Sequence, residues 1–270
     1  MEQREKSVKT VGEYWQESQL VFSKIYKYGV RDYVDSLPSS VLRMAFNLHD
    51  RSLRCIDEGT PGGIHVAGSG ILLSVEEKQV ELTKVMSELR TAGVDGVYSH
   101  KGCGAARLYA ETVKGQPDKS DEYAVNWGQK LARDLNVPYK GHIVELSRPQ
   151  EFHNARIIYY DGSGKFDPFR IKEIPDGFII SRYYLDGGYA KEELGIALSI
   201  ALGHHGFGDK FTHDDPLIVS PIEGITNDTE ALSLSSLIKE ALDVTAQFGN
   251  RVIVQGFKQP QILPEDNQSE

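Results

Sequence analysis

Leu53-Arg54-Cys55-Ile56-Asp57-Glu58-Gly59-Thr60-Pro61-Gly62-Gly63-Ile64-His65-Val66-Ala67-Gly68-Ser69-Gly70 is the stretch on which the fold of this chain turns. Two short apolar runs, at residues 53–57 and 64–67, each lead into glycine. So much glycine beside a cysteine implies backbone that turns sharply or approaches a ligand closely. The next segment has a different period. Val75, Val80, Leu82, Val85, Met86 and Leu89 recur at helical spacing and predict a helix over residues 75–91 that ends at Gly93. Residues 94–98 read as a strand, His100-Lys101-Gly102-Cys103-Gly104 as the loop after it, and 105–113 as another helix. Strand, helix and strand in this order predict right-handed crossovers and a parallel sheet.

Working outward, residues 11–33 carry Tyr14, Trp15, Leu20, Val21, Ile25 and Tyr26 at helical spacing, as one amphipathic helix or two. After Pro38, the alternation of Leu42, Met44, Phe46 and Leu48 predicts a strand. Further helices are expected at 122–135, 191–202 and 229–247, and strands at 142–146, 156–160, 178–184, 217–220 and 251–257. The expected fold class is therefore α/β, with a central, mostly parallel sheet flanked by helices. The expected organisation is an N-terminal helical arm (1–40), a metal-binding α/β core (41–175), a C-terminal elaboration of the same domain (176–263) and a disordered tail (264–270). No internal repeat is visible in the residues.

With 270 residues, 40% hydrophobic and 26% charged, the chain has enough material for a substantial core without disulfides. A net charge of −9 argues against nucleic acid as a general partner, since displacing counterions needs a basic surface. The polar start MEQREKSVKT and the lack of a long apolar run argue against a signal peptide or a membrane partner, so a cytoplasmic location is expected. The two cysteines, Cys55 and Cys103, read by composition alone as inert buried thiols.

Their surroundings change that reading. His100 and Cys103 can face one metal ion from a single loop, and Cys55 follows another strand. In parallel sheets, sites form outside the carboxyl ends of the strands, where these segments can converge. Three protein ligands leave a fourth tetrahedral position open, the pattern of a catalytic rather than a structural zinc. A helix starting at Gly104 would favour the Cys103 thiolate. Asp57 lies two residues from Cys55 and shares its face if the strand continues.

Cys55-Ile56-Asp57, then Ala67-Gly68, then His100-Lys101-Gly102-Cys103-Gly104-Ala105 resemble the three successive motifs of the β-class carbonic anhydrases. The likeness covers roughly residues 41–166, with 156–166 similar to the family's last core strand. It implies Zn2+ held by Cys55, His100 and Cys103, Asp57 as the catalytic carboxylate beside the open position, and hydration of carbon dioxide by zinc-bound hydroxide. It also implies a small-molecule substrate and a homodimer or higher homo-oligomer embraced by N-terminal helices, although the aromatic helix could equally cover its own core.

The chain departs from the family at the dyad arginine, whose place holds Gly59. His65 and Ser69 stand where the second motif has arginine and asparagine. Zinc with two thiolates and a neutral imidazole carries no net charge; Asp57 as a further ligand would make the site −1 and close it. An arginine can hold such a carboxylate away through a bidentate pair, and Arg54, Arg107 or a partner's residue is a candidate. Hydrolysis of carbon disulfide or carbonyl sulfide, or a non-catalytic zinc scaffold, are the alternatives. His65, Ser69, Gly104 and Arg107 are candidates to surround the ligands. Glu58, adjacent to Asp57, is expected to face the opposite way. His204 and His205 form a glycine-flanked loop that could relay protons if it covers the site.

Overall fold

A computed structural model describes residues 9–225 and 229–261. The N-terminal eight residues and the tail expected to be disordered lie outside the described residues. The first half runs α1 (Val11–Tyr28), α2 (Val30–Asp35), α3 (Ser39–Ala45), β1 (Ser52–Arg54), β2 (Ile64–His65), α4 (Gln79–Thr91), β3 (Gly96–His100), α5 (Gly104–Tyr109), α6 (Ser120–Leu135) and β4 (Tyr139–Ile143). The second runs β5 (Ile157–Asp161), β6 (Phe178–Ile180), α7 (Gly187–Ala201), β7 (Leu217–Glu223), α8 (Leu234–Thr245), β8 (Val252–Val254) and β9 (Phe257–Lys258).

The α/β class holds: every strand pair is parallel and helices flank the strands. The strands form two sheets, ordered β2-β1-β3-β4 and β6-β5-β7-β8, with β9 also on β7. The order within the second sheet repeats that of the first. A repeat absent from the residues is thus present in the topology. The segment 156–166, read as the last strand of the first unit, instead opens the second sheet. The sheets meet where Ile179 and Ser181 donate backbone N–H groups to the carbonyls of Ile56 (3.0 Å) and His65 (3.3 Å).

Alternation along β5 shows how the layers pack. Ile158 and Tyr160 join the large core shared by both halves, whereas Ile157 and Tyr159 join a second core beneath the N-terminal helices, as a two-residue period requires. That second core takes Phe22 and Ile25 from α1. Trp15 lies on the buried Arg156 guanidinium at 3.6 Å, and Tyr26 donates to the Pro216 carbonyl at 2.8 Å. The aromatic face of α1 therefore covers its own chain. No helix among the described residues is long and apolar enough to cross a membrane.

One expected strand is a helix. Over residues 42–48 the alternating apolar pattern predicts a strand, but Ser39–Ala45 is α3. Pro38 fixes the entry, and the helix buries Leu42 and Ala45, three residues apart, while Met44 is exposed.

Candidate metal centre

Cys55 immediately follows β1, and His100 is the last residue of β3, its neighbour in the sheet. Parallel pairing therefore delivers both to the same sheet edge. Gly102, with φ +65°, turns the chain so that Cys103 becomes the N-cap of α5. The two sulfurs lie 3.9 Å apart, with both cysteines and His100 buried. A disulfide would need about 2 Å, so the two cysteines are unbridged.

The ring of His100 is oriented for ligation. Its Nδ1–H donates to the Lys101 carbonyl at 3.0 Å, which leaves Nε2 as the atom available to a metal. That Nε2 is buried and has no hydrogen-bond partner among the described residues. An orphaned nitrogen beside two sulfurs is a set that could hold a metal ion. Without a cation, burial opposes charge on His100, but Asp57 and Cys55 outweigh it and raise its pKa to about 9, so the ring holds a proton that a bound metal would have to displace. Burial, with Cys103 beside it, pushes the Cys55 thiol well up, so a nearby cation is what would make it a thiolate.

The turn after β2 supports the sulfurs. Gly68, Ser69 and Gly70 all have positive φ, and Gly68 N–H donates to Cys55 Sγ at 3.2 Å. A Cβ on Gly68 would lie 2.8 Å from Ile71 Cγ2 and 3.4 Å from Cys103 Sγ. The left-handed run is held by three anchors. Ser69 Oγ donates to the Tyr98 carbonyl (2.9 Å), Trp127 Nε1 donates to the Ser69 carbonyl (2.9 Å), and Glu193 of α7 accepts the Ala67 N–H. His65 is a satisfied core histidine: its Nδ1–H donates to the Cys55 carbonyl at 2.6 Å, and burial lowers its pKa to about 4. Gly104 packs against Ile200, with a Cβ position 3.3 Å from its Cδ1.

Asp57 Oδ2 stands 3.9 Å from His100 Nε2. The arginine that pairs with it is Arg148, from the loop after β4: Nε donates to Oδ1 at 2.7 Å and Nη2 to Oδ2. The expected substitutes are elsewhere. Arg54 pairs with Asp50 and lies over Tyr98, and Arg107 is on the surface with Glu111. Burial pushes the Asp57 carboxyl up, but His100, Arg148 and His153 together hold it well below the usual carboxylate range.

Glu58 does not face the opposite way. The strand ends at Arg54, and Asp57 opens a turn closed by Thr60 N–H on its carbonyl, so the two-residue alternation no longer applies. Both carboxylates reach Arg148, whose Nε is 3.6 Å from Glu58 Oε1. His153 Nδ1 lies 3.0 Å from Glu58 Oε2 and 3.7 Å from Asp57 Oδ2. Two sets among the described residues have the spacing to hold a metal ion: Cys55, His100 and Cys103; and Asp57, Glu58 and His153. In the second, Arg148 already engages both carboxylates, so the first is taken as the candidate metal centre.

Comparison with protein-family models, with curated proteins and with solved structures gives no match.

Arg148 and His153 escape a reading of the sequence. The available signal is position: Arg148 follows the strand beside β3, where a loop must pass near the sheet's carboxyl edge. His204 and His205 are exposed, and the loop meets the site where His153 N–H donates to the His205 carbonyl at 2.6 Å. The second half has no comparable opening at the matching place. Gly162 follows β5 as Cys55 follows β1, and a Cβ there would lie 2.6 Å from Leu237 Cδ1 and 2.8 Å from the Ile222 carbonyl.

Proposed function

We propose that the chain is a zinc-dependent hydratase of carbon dioxide, acting as the β-class carbonic anhydrases do. The observation that carries this reading is the orphaned Nε2 of His100, facing two sulfurs 3.9 Å apart, with Asp57 held alongside by Arg148. Tetrahedral zinc with bonds of about 2.3 Å to sulfur sets two thiolates roughly 3.8 Å apart, which the pair matches. Two soft sulfurs and an imidazole suit zinc over calcium or magnesium, which take oxygen ligands.

Zinc bound there supplies acidity to a water ligand and a Lewis-acid centre. The chain's own residues do the rest. Cys55, Cys103 and His100 form a set of three, leaving a fourth position. Arg148 occupies both oxygens of Asp57, which keeps the carboxylate from swinging inward as a fourth ligand and leaves it a lone pair to orient a water. Asp57, His100 and Cys103 are each at most 2% exposed, so the centre suits a reactant of very few atoms. With Zn2+ the two thiolates and the imidazole would carry no net charge, which lets an anionic product depart.

The deciding experiment is a stopped-flow indicator assay of carbon dioxide hydration on protein of measured zinc content, with carbon disulfide and carbonyl sulfide run in parallel. Hydration that vanishes in Cys103→Ser is expected. No hydration from neutral pH to pH 9 at full zinc occupancy would overturn the reading.

A further inference from the structure

From β5 onward, no described residue belongs to either set with the spacing to hold a metal ion. Yet one face of α7, in that second half, touches the segments that carry both cysteines. Glu193 and Ile200 are seven residues apart, two turns of the helix, with the fully buried Ala197 between them on the same face. Glu193, 1% exposed, accepts the N–H of Ala67 and the hydroxyl of Tyr189 one turn earlier. Ile200 lies over Gly104, the residue after Cys103, with its Cδ1 3.3 Å from where a Cβ would stand.

The first contact bears on Cys55. Ala67 opens the run in which Gly68, Ser69 and Gly70 all have positive φ. That reversal brings the Gly68 N–H to Cys55 Sγ at 3.2 Å, and leaves the N–H of Ala67 to the Glu193 carboxyl. Gly68 also abuts the other ligand segment: a Cβ on it would lie 3.4 Å from Cys103 Sγ and 3.0 Å from Ala105 Cβ. Burying a carboxyl is costlier than burying an apolar side chain of its size. What Glu193 supplies in return is a fixed backbone one residue from a sulfur contact.

We infer that α7 clamps the two cysteine segments and sets their spacing, with Glu193 its positioning residue and Ile200 its apolar contact. The second half thus serves the metal centre by holding its ligands. The inference rests on the metal-centre part of the functional reading, whichever small molecule reacts there. Without the carboxyl, the turn relaxes and the Gly68 N–H leaves the Cys55 sulfur.

The test measures zinc affinity, by competition with a chromophoric chelator, in full-length wild type, Glu193→Gln, Glu193→Leu and Leu237→Ala. Leu237, fully buried in α8 of the same half, is the control for lost packing. Glu193→Leu is expected to bind zinc about 10- to 100-fold more weakly, the usual effect of losing a group that orients a ligand. Glu193→Gln keeps an acceptor oxygen and should stay within about threefold of wild type, as should Leu237→Ala. The sulfur-to-metal charge-transfer band of cobalt-substituted protein should move in Glu193→Leu alone. In metal-free protein, the NMR shift of the Gly68 amide proton should be kept in Glu193→Gln and displaced in Glu193→Leu. Should Glu193→Leu fail to fold, Ile200→Ala carries the comparison, with zinc bound about tenfold more weakly. Wild-type affinity in the clamp variant, or a loss that Leu237→Ala matches, overturns the inference. Wild type that takes up neither zinc nor cobalt sinks the metal centre first, and the clamp with it. A loaded wild type beside an indifferent Glu193→Leu sinks the clamp alone.

Discussion

The guanidinium of Arg148 lies on the carboxylate of Asp57, from 91 residues further along the chain, with Nε on Oδ1 at 2.7 Å and both side chains at most 2% exposed. Paired buried charges stabilise little against apolar residues of the same size. Removing one partner is costly, because it strands the other.

Arg148→Ala is therefore expected to lower stability by about 3–5 kcal/mol, measured by urea unfolding. It also frees Asp57 to move toward the metal, so hydration should fall even in the folded fraction. Arg148→Lys keeps the charge but loses the fork, and should lie between Ala and wild type in both measurements.

Metal analysis should return about one equivalent per chain. Cys55→Ser and Cys103→Ser should each drop toward zero, since a three-ligand site that loses a thiolate loses much of its affinity. A second equivalent is not expected, because Arg148 already engages the carboxylates of the Asp57, Glu58 and His153 set. Two equivalents by mass spectrometry would contradict the assignment.

Gly68→Ala tests the left-handed turn. At φ +53° a side chain is strained, and the added carbon would press on Ile71 and lie against the Cys103 sulfur. A loss on the order of 1–3 kcal/mol is expected, together with weaker metal retention against a chelator. Thermal unfolding with and without chelator separates the two effects.

Glu193 gives stability a pH dependence. Burial raises its carboxyl to about 7, against the hydrogen bonds from Tyr189 and Ala67 that lower it. Its folded pKa lies above its unfolded one, so the native state holds the proton more tightly. The resulting stabilisation is complete below about pH 4 and is lost as pH rises through 7. Glu193→Gln removes this dependence. Relative to wild type, it should gain on the order of 2 kcal/mol between pH 5 and pH 8, read from urea midpoints. An identical pH profile in the two proteins would contradict the buried, protonated carboxyl.

Cys55, His100 and Cys103 are legible because each sits at or just beyond a strand end within a local pattern, and parallel pairing does the rest. Arg148 and His153 are not, because no pattern marks them: their partners Asp57 and Glu58 lie more than 90 residues away. Alternation mispredicts the orientation of Glu58 because the strand stops at Arg54. At α3, apolar residues at 42, 44, 46 and 48 imitate a strand, and Pro38 is the better guide. The doubled strand order is hidden for another reason: topology constrains which positions are buried, not which residues fill them, so two halves can share a path with no shared motif.

The seam between those halves has a mechanical consequence. Ile179 and Ser181 grip the chain at Ile56 and His65, the first adjoining Cys55 and the second bonded to its carbonyl. The join and the floor of the metal centre are thus one stretch of backbone. A displacement of the C-terminal half would pull directly on the backbone that carries Cys55, which gives that half leverage over the candidate metal centre.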